Sequence, residues 1–305
     1  MLIQYYFIEL RFAIFNPEIP NRVLVQLKQV RVKMNILVTG VTSGFGKAIA
    51  ELLISKGNTV IGTGRRREKL DKLKAQFSTQ GQGDKFIPMN FDISDLATTK
   101  TALQSLPKDF LANIDVLINN AGLALGLEPA DKANFNDWQR MINTNVLGLV
   151  HLTHEILPFM TAKNSGYVIN IGSTAGNHPY FGANVYGATK AFVRQFSLNL
   201  RADLVGKKVR VTNLEPGLCG GTEFSNVRFK DDYDKASAVY EGVEYIQRKP
   251  PTTPYCGGCQ TCGSSSSIWL SGCVGNRLST SAKYAYGSRP FNLADWISDI
   301  ILAAR

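Results

Sequence analysis

A glycine-rich turn between an apolar strand and a helix constrains the fold of this chain more than any other feature of its sequence. Residues 36–39 form a short apolar run typical of a buried strand, and residues 45–56 show the pattern of a helix. Gly40, Gly44 and Gly46 lie at this junction in the order Gly-x3-Gly-x-Gly. Such glycines let a pyrophosphate approach the backbone N–H groups at the helix start. The spacing differs from the general Gly-x-Gly-x2-Gly fingerprint, and a turn that holds no ligand is the alternative.

The alternation of strand and helix continues along the chain. Further strands are predicted at 59–63, 86–89, 114–118, 168–173 and 209–214, and further helices at 68–77, 96–105, 136–162 and 185–204. Buried strands that alternate with amphipathic helices predict an α/β fold, a doubly wound parallel sheet of the Rossmann type in a single domain. Ligands of such sheets bind at the carboxyl ends of the strands.

Arginines after the second predicted strand indicate which dinucleotide the turn would hold. The strand ends in Gly64-Arg65-Arg66-Arg67, with no acidic residue inside it or at its end. An acidic side chain there would accept hydrogen bonds from ribose hydroxyls, whereas guanidinium groups pair with a 2′-phosphate. Arg65 and Arg66 therefore predict NADP as the cofactor. A solvated helix start is the alternative, mainly for Arg67.

Tyr186 and Lys190 are the strongest candidates for chemistry in this chain. Their spacing in Tyr-Gly-Ala-Thr-Lys places both side chains on one face of a helix. The pKa of a free tyrosine is about 10, and a fixed positive charge nearby would favour the phenolate. Ser173 ends a predicted strand, Asn120 follows another, and Asn145 falls inside a predicted helix, where a polar side chain needs a reason to be. Together these side chains form a candidate catalytic constellation.

These residues together resemble the short-chain dehydrogenase/reductase family. The motifs that carry the resemblance are Thr39-Gly40-x3-Gly44-x-Gly46, Asn119-Asn120-Ala-Gly122, Asn145, Ser173, Tyr186-x3-Lys190 and Pro216-Gly217. The resemblance extends over residues 34–245. The stretches 171–176, 184–201 and 215–229 are similar to one bacterial subgroup, the NADP-dependent 3-hydroxy acid dehydrogenases, also called serine or L-allo-threonine dehydrogenases.

The resemblance implies a role for each matched residue. Tyr186 is expected to exchange a proton with the substrate oxygen, and Lys190 to lower the pKa of that tyrosine and bind the nicotinamide ribose. Ser173 is expected to orient the carbonyl oxygen, and Asn145 to hold a water that connects Lys190 to solvent. The residues expected around NADP are Gly40, Thr42, Ser43, Gly44, Phe45 and Gly46 at the pyrophosphate, Arg65 and Arg66 at the 2′-phosphate, Asp92 and Ile93 at the adenine, Asn120, Tyr186 and Lys190 at the ribose side, and Pro216, Gly217, Leu218, Thr222 and Phe224 at the nicotinamide.

A lid over the nicotinamide is expected at residues 217–245. Arg228 and Lys230 lie in it, and either could pair with a substrate carboxylate, whereas surface charges on a mobile loop are the alternative. Arg228 joins Ser173 and Tyr186 in the predicted substrate site. The implied activity interconverts a small 3-hydroxy acid, such as serine, L-allo-threonine or 3-hydroxypropionate, and its 3-oxo acid or semialdehyde. The alternatives are a 3-oxoacyl-carrier reductase of the same family and a non-catalytic NADP-binding sensor, which would need no proton relay.

The two ends of the chain depart from this pattern. Residues 1–33 open with an apolar run over 1–15 that includes Glu9 and Arg11. The run lacks a basic start and a cleavage site and is too short to span a bilayer, so residues 1–33 resemble neither a signal peptide nor a membrane span. We expect them to arise from an upstream start, with Met34 opening the working protein, and a membrane-surface anchor is the alternative. Residues 246–305 change to a tail rich in Cys, Ser and Gly, which favours a reading-frame shift near codon 246. A short helix at its end, over 293–304, is the only element predicted there.

Neither the cysteines nor the net charge indicates a metal or a nucleic acid as a partner. Cys256, Cys259, Cys262 and Cys273 lie in the tail, but a single Cys-x2-Cys-x2-Cys run without a nearby histidine favours no metal site. The net charge of +10 is spread over both ends and the centre, without a basic stripe. We therefore predict no nucleic-acid or membrane partner. The family resemblance implies a cytoplasmic homotetramer, if the C-terminus is intact, that acts on a small hydroxy acid.

Overall fold

Hydrophobic strands that alternate with helices form one open sheet in the computed structural model of the chain, which describes residues 33–220, 222–241, 267–272 and 282–285. The strands of its parallel part are β1 Asn35–Thr39, β2 Thr59–Gly64, β3 Phe86–Asn90, β4 Ile114–Asn119, β5 Gly166–Ile171 and β6 Val209–Glu215. They lie in the order β3-β2-β1-β4-β5-β6. The predicted parallel sheet is confirmed, with strand bounds shifted by only a residue or two.

Helices pack on both faces of the sheet. They are α1 Gly44–Ser55, α2 Arg67–Thr79, α3 Leu96–Gln104, α4 Lys108–Ala112, α5 Phe135–Ile142, α6 Leu149–Ala162, α7 Asn184–Asp203, α8 Phe224–Arg228 and α9 Tyr233–Ala238. The short helix α4 was not predicted from the sequence. The prediction of a single helix over 136–162 is wrong, because a π-helix, Asn143–Gly148, separates α5 from α6. Such interruptions occur frequently at functional sites.

Both faces of the parallel strands are buried, as the continuous apolar runs of the sequence require. In β1, Ile36 and Val38 point to one face, where they join a core that includes Ile49 of α1. Leu37 points to the other face and joins a second core, which includes Leu152 of α6. Successive side chains of a strand alternate between faces, so one five-residue strand contributes to both layers.

The strand order reverses at β1, and this reversal creates the crevice that binds ligands in such sheets. Strand β1 pairs in parallel with β2 on one side and with β4 on the other. Val38 lies opposite Ile118, so the turn that begins at Gly40 and the loop that begins at Asn120 leave the sheet side by side. The fold thereby brings the glycine turn next to the asparagine motif.

Two antiparallel strands extend the sheet beyond β6. Strand β7, Ser267–Gly272, pairs antiparallel with β6, and β8, Ala282–Ala285, pairs antiparallel with β7. The expectation that the tail holds no sheet strand is therefore wrong for these two segments. The predictions for residues 1–32, for the four tail cysteines and for a helix over 293–304 lie outside the described residues.

No helix among the described residues is long and apolar enough to cross a membrane. In the same residues, no group of three His, Cys, Asp or Glu side chains is arranged to hold a metal ion.

Candidate active site

The residues predicted to bind the cofactor and the substrate line one cavity of about 810 Å³ at the carboxyl edge of the sheet. This volume lies within the range of small-molecule and cofactor sites. The predicted residues in its wall are Gly40, Thr42, Ser43, Gly44, Phe45, Arg65, Arg66, Asp92, Ile93, Asn120, Ser173, Tyr186, Lys190, Pro216, Gly217, Leu218, Thr222, Phe224 and Arg228. The lining does not include Gly46 and Asn145, which lie behind the wall.

The glycine turn after β1 has the backbone that a pyrophosphate site needs. Gly40 and Gly44 have φ values of 74° and 53°, in the left-handed region that favours glycine. A side chain at Gly46 would collide with the carbonyl oxygen of Gly40, so this glycine lets α1 approach the turn. The first turn of α1 holds no acidic residue, and Ser43 forms no side-chain cap there. The N–H groups at this helix start therefore suit an anion.

Asn120 connects the two central strands at the same point. Its side-chain amide donates hydrogen bonds to the carbonyl oxygens of Thr39, at 2.7 Å, and Gly40, at 3.4 Å. The hydroxyl of Thr39 accepts from the backbone N–H groups of Asn120 and Ala121. This network fixes the floor of the cavity between the two strands.

Arg66 and Lys69 hold a carboxylate at one end of the cavity, called the adenosine end because the adenosine of the cofactor is predicted to bind there. Arg66 Nη1 lies 2.8 Å from Glu223 Oε2, and Lys69 Nζ lies 2.6 Å from Glu223 Oε1. Arg66 Nη2 also donates to the hydroxyl of Thr42 at 3.1 Å. Burial raises the pKa of Glu223, but the hydrogen bonds and charges of these two cations outweigh it, so the net shift is downward. Two cations that bind a carboxylate in this way can also bind a phosphate.

Arg65 lies on the other side of the same end. Its Nη1 is 3.4 Å from Asp92 Oδ2, and Asp92 also accepts hydrogen bonds from the backbone and hydroxyl of Ser94. Arg67 points to solvent, with 78% of its side chain exposed beside Asp71. The sequence-based preference for the first two arginines over the third therefore agrees with their positions.

Tyr186 lies at the opposite, buried end of the cavity. It is 8% exposed, its hydroxyl lies close enough to Ser173 for that residue to lower its pKa, and its ring packs edge-on against Phe224 at 5.9 Å. Ser173 Oγ also accepts from the backbone N–H of Ala175 at 3.1 Å. The phenol and the hydroxyl thus meet at the point where β5 and α7 converge.

The sequence predicted that Lys190 would lower the pKa of Tyr186, whereas burial is the largest influence on that pKa in this structure. Burial raises the pKa of Tyr186 to about 12, although Ser173 and the charge of Arg228 both lower it. Lys190 Nζ lies 6.0 Å from the phenol ring centroid and donates to the carbonyl oxygen of Ile171 at 2.7 Å. Burial also lowers the pKa of Lys190 to about 8. A buried ammonium needs a close acceptor, and the strand carbonyl supplies one.

Asn145 explains why the predicted helix is interrupted. Its amide donates to the carbonyl oxygen of Leu123 at 2.8 Å and to the hydroxyl of Thr189 at 3.1 Å, and its oxygen accepts from the backbone of Leu123 at 2.9 Å. A Cβ at Gly122 would lie 3.2 Å from Asn145 Oδ1 and 3.5 Å from Lys190 Nζ, so that glycine lies between the two side chains. The π-helix therefore connects the β4 loop to the catalytic helix α7.

The segment predicted to form a lid contributes one buried cation to the site and one exposed cation outside it. Arg228 is 7% exposed, and it donates from Nε to the carbonyl oxygen of Gly126 at 2.9 Å and from Nη1 to the hydroxyl of Tyr180 at 3.1 Å. Lys230 pairs with Asp137 at 2.8 Å and is 57% exposed. The sequence could not tell which of these two cations lies at the site. In the structure Arg228 lines the cavity, and Lys230 does not.

Sequence reasoning missed three residues of this site. Lys69 could have been predicted from the sequence, because it lies one helical turn after Arg66 and on the same face. Glu223 and Tyr180 come from loops distant in sequence from the groups they contact, and no local pattern marks either of them.

Comparisons with known proteins agree with this geometry. A family model described as short chain dehydrogenase matches residues 34–232. A probable NADP-dependent dehydrogenase of Haemophilus influenzae is 57% identical over 211 residues, which cover 69% of this chain and 81% of that protein. An NADP-dependent 3-hydroxy acid dehydrogenase of Escherichia coli strain K12 is 56% identical over 210 residues, covering 69% of this chain and 82% of that protein.

A solved structure is also similar. It is the closed form of a serine dehydrogenase complexed with NADP+, with 49% sequence identity and a TM-score of 0.65. The match covers 73% of this chain and 98% of that one.

Proposed function

Because the chain belongs to the short-chain dehydrogenase family, we propose that it is an NADP-dependent oxidoreductase that interconverts a small 3-hydroxy acid and its 3-oxo acid or semialdehyde. The names of its relatives, NADP-dependent 3-hydroxy acid dehydrogenase and serine dehydrogenase, support both the cofactor and the substrate class. Serine, L-allo-threonine and 3-hydroxypropionate are the substrates we expect.

The observation that carries this proposal is the pairing of two chemically different ends in one cavity. Arg65 and Arg66 lie at one end, next to the glycine turn, and Tyr186 lies beside Ser173 at the other. The anion-binding features suit the phosphates of NADP, and the two hydroxyls suit a reacting carbonyl oxygen. A non-catalytic sensor would have no use for the second end.

The mechanism we propose assigns each step to residues of this chain. NADPH, when bound, supplies a hydride to the substrate carbon, and NADP+ accepts one in the reverse direction. During reduction the hydroxyl of Tyr186 donates its proton to the substrate oxygen, and the hydroxyl of Ser173 donates a hydrogen bond to the same oxygen. A pKa of about 12 keeps Tyr186 protonated at neutral pH, which suits its role as the acid.

Replacement of Tyr186 by Phe tests the proposal directly. We expect kcat with NADPH and malonic semialdehyde to fall on the order of 10³-fold, because general acid catalysis is lost while the ring remains. The dissociation constant of NADPH, measured by fluorescence titration, should change little. Tyr233→Phe is the matched control, since Tyr233 is 64% exposed on α9. Unchanged turnover in Tyr186→Phe would contradict the assignment.

The extent and assembly of the working protein are further parts of the proposal. We propose that residues 34–245 form the catalytic domain, with residues 217–245 as its lid, and that the protein is a cytoplasmic homotetramer, as the family resemblance implies. Analytical ultracentrifugation of the full chain, and of a chain that begins at Met34, would measure the assembly. A monomer that retains full activity would contradict the tetramer.

A further inference from the structure

We propose that Arg228 binds the carboxylate of the substrate and so makes the cavity selective for hydroxy and oxo acids over neutral alcohols and ketones. The inference deepens the proposed function and depends on it, because it names the group that would recognise the acid.

Arg228 has a buried donor with no hydrogen-bond partner among the described residues. The residue is 7% exposed, yet its Nη2 makes no hydrogen bond with them. Buried polar groups are almost always paired, and an unpaired donor on a charged group is especially unfavourable. Because Arg228 is also part of the cavity wall, a ligand with an acceptor oxygen that reached its guanidinium would satisfy this atom.

The rest of the guanidinium is held in place, so the free donor has a fixed direction. Arg228 Nε donates to the carbonyl oxygen of Gly126, and the backbone N–H of Gly126 donates to the carbonyl oxygen of Arg228 at 2.9 Å. Arg228 Nη1 donates to the hydroxyl of Tyr180. The lid and the β4 loop therefore orient the side chain before any ligand arrives, which favours binding.

The position of Arg228 fits the length of a small hydroxy acid. Its Cζ lies 5.8 Å from the ring centroid of Tyr186 and 5.5 Å from that of Tyr180, and all three residues line the cavity. In a 3-hydroxy acid a single carbon separates the carbon that bears the hydroxyl from the carboxyl carbon. The group that binds the carboxylate must therefore lie next to the acid–base residue, as Arg228 does.

No carboxylate of the protein competes for this cation within the described residues. Three other cations named at the cavity or on the lid have acidic partners: Arg65 pairs with Asp92, Arg66 with Glu223 and Lys230 with Asp137. Lys190 has none among the described residues, but its ammonium donates to the carbonyl oxygen of Ile171. Arg228 forms no such pair in the part of the chain that the structure describes. A carboxylate ligand would complete a pair that the fold leaves open, and guanidinium suits the bidentate geometry of that group.

A matched pair of substrates separates recognition of the carboxylate from catalysis. The full chain would be assayed with NADP+ on 3-hydroxypropionate and on methyl 3-hydroxypropionate, which differ only at the carboxyl group. For Arg228→Met we expect kcat/KM on the acid to fall on the order of 10²-fold, with a much smaller loss on the ester. Arg228→Lys should fall between the parent and Arg228→Met, because it keeps the charge but loses the planar fork. Lys230→Met is the control and should change the acid-to-ester ratio less than about twofold.

A binding measurement provides a readout that needs no turnover. In the presence of NADPH, 3-hydroxypropionate cannot be oxidised, so its dissociation constant can be measured by calorimetry. We expect Arg228→Met to raise this dissociation constant on the order of 10²-fold while NADPH binding is retained. Retained NADPH binding also shows that the variant is folded.

The outcomes distinguish this inference from the proposed function. Equal losses on acid and ester in both Arg228 variants, or an equal loss in Lys230→Met, would overturn the carboxylate site alone. A parent enzyme that turns over neither compound with NADP+ would contradict the proposed function, and the calorimetric result would still decide whether Arg228 binds the acid.

Discussion

The two ends of the cavity hold their positive charges in opposite ways. At the adenosine end, the side chains of Arg65 and Arg66 are 50% and 38% exposed, and both pair with carboxylates. At the catalytic end, Lys190 and Arg228 are each only 7% exposed, and neither forms an ion pair with another described residue. One end is partly exposed, and its cations have carboxylate partners, whereas the other is buried, and its cations have none among the described residues.

This difference shows where each charge can act. Exposed ion pairs are weak, so a phosphate can displace the carboxylates of the adenosine end with little penalty. A buried cation is unfavourable unless it is well solvated by the protein, and such perturbed groups concentrate at functional sites. We therefore expect substitutions at the buried end to have large effects on stability and catalysis, and those at the exposed end to have smaller effects on binding.

The largest of the following effects concerns Lys190 and the stability of the protein. Its pKa is lowered from 10.5 to about 8, so between these values the unfolded chain binds more protons than the folded one. The free energy of unfolding should therefore rise with pH across this window, by up to about 3 kcal/mol. Chemical denaturation of the parent and of Lys190→Met at pH 7.5 to 10.5 would measure this difference. A difference that does not vary with pH would contradict a buried, destabilised ammonium.

An intermediate effect is expected at the adenosine end. The double variant Arg65→Ala, Arg66→Ala should reduce the preference for NADPH over NADH by about 10- to 100-fold, because charge-assisted hydrogen bonds to the 2′-phosphate are lost. The measurement is the ratio of the two dissociation constants. Arg67→Ala is the control, since that side chain is directed to solvent. An unchanged ratio in the double variant would assign the 2′-phosphate to other groups.

The smallest effect is expected at Glu223. Its carboxylate lies on Arg66 and Lys69, where it would compete with a 2′-phosphate. Glu223→Gln should therefore tighten NADPH binding about two- to fivefold and leave NADH binding nearly unchanged. Asp71→Asn, which removes the exposed partner of Arg67, is the control. If both cofactors instead bind more weakly to Glu223→Gln, the residue closes the lid rather than competing with the phosphate.

The helix predicted over residues 136–162 shows why part of the fold escaped sequence analysis. Its residues are helical, as the apolar spacing indicates, but Asn145 turns towards Leu123 and Thr189, and a π-helix forms around it. The sequence identified Asn145 as a polar residue that needed an explanation. The hydrogen bonds that explain it come from other segments, so periodicity could not reveal the interruption.

The relation between Lys190 and Tyr186 teaches the same lesson for the site. Their spacing correctly placed both residues on one face of a helix, but spacing alone does not determine where a long side chain ends. The ammonium of Lys190 donates a hydrogen bond to the carbonyl oxygen of Ile171. Burial is the largest influence on the pKa of both Lys190 and Tyr186.

The sequence by itself determined the strands, the glycine turn and the residue types that would meet at the carboxyl edge of the sheet. These features depend on local periodicity and on the rule that parallel strands share an edge. Only the tertiary structure decided that Arg228 is buried while Lys230 is exposed, and that Glu223 contacts Arg66. The physical reason is that burial and ion pairing arise from segments far apart in the chain, so no local pattern encodes them.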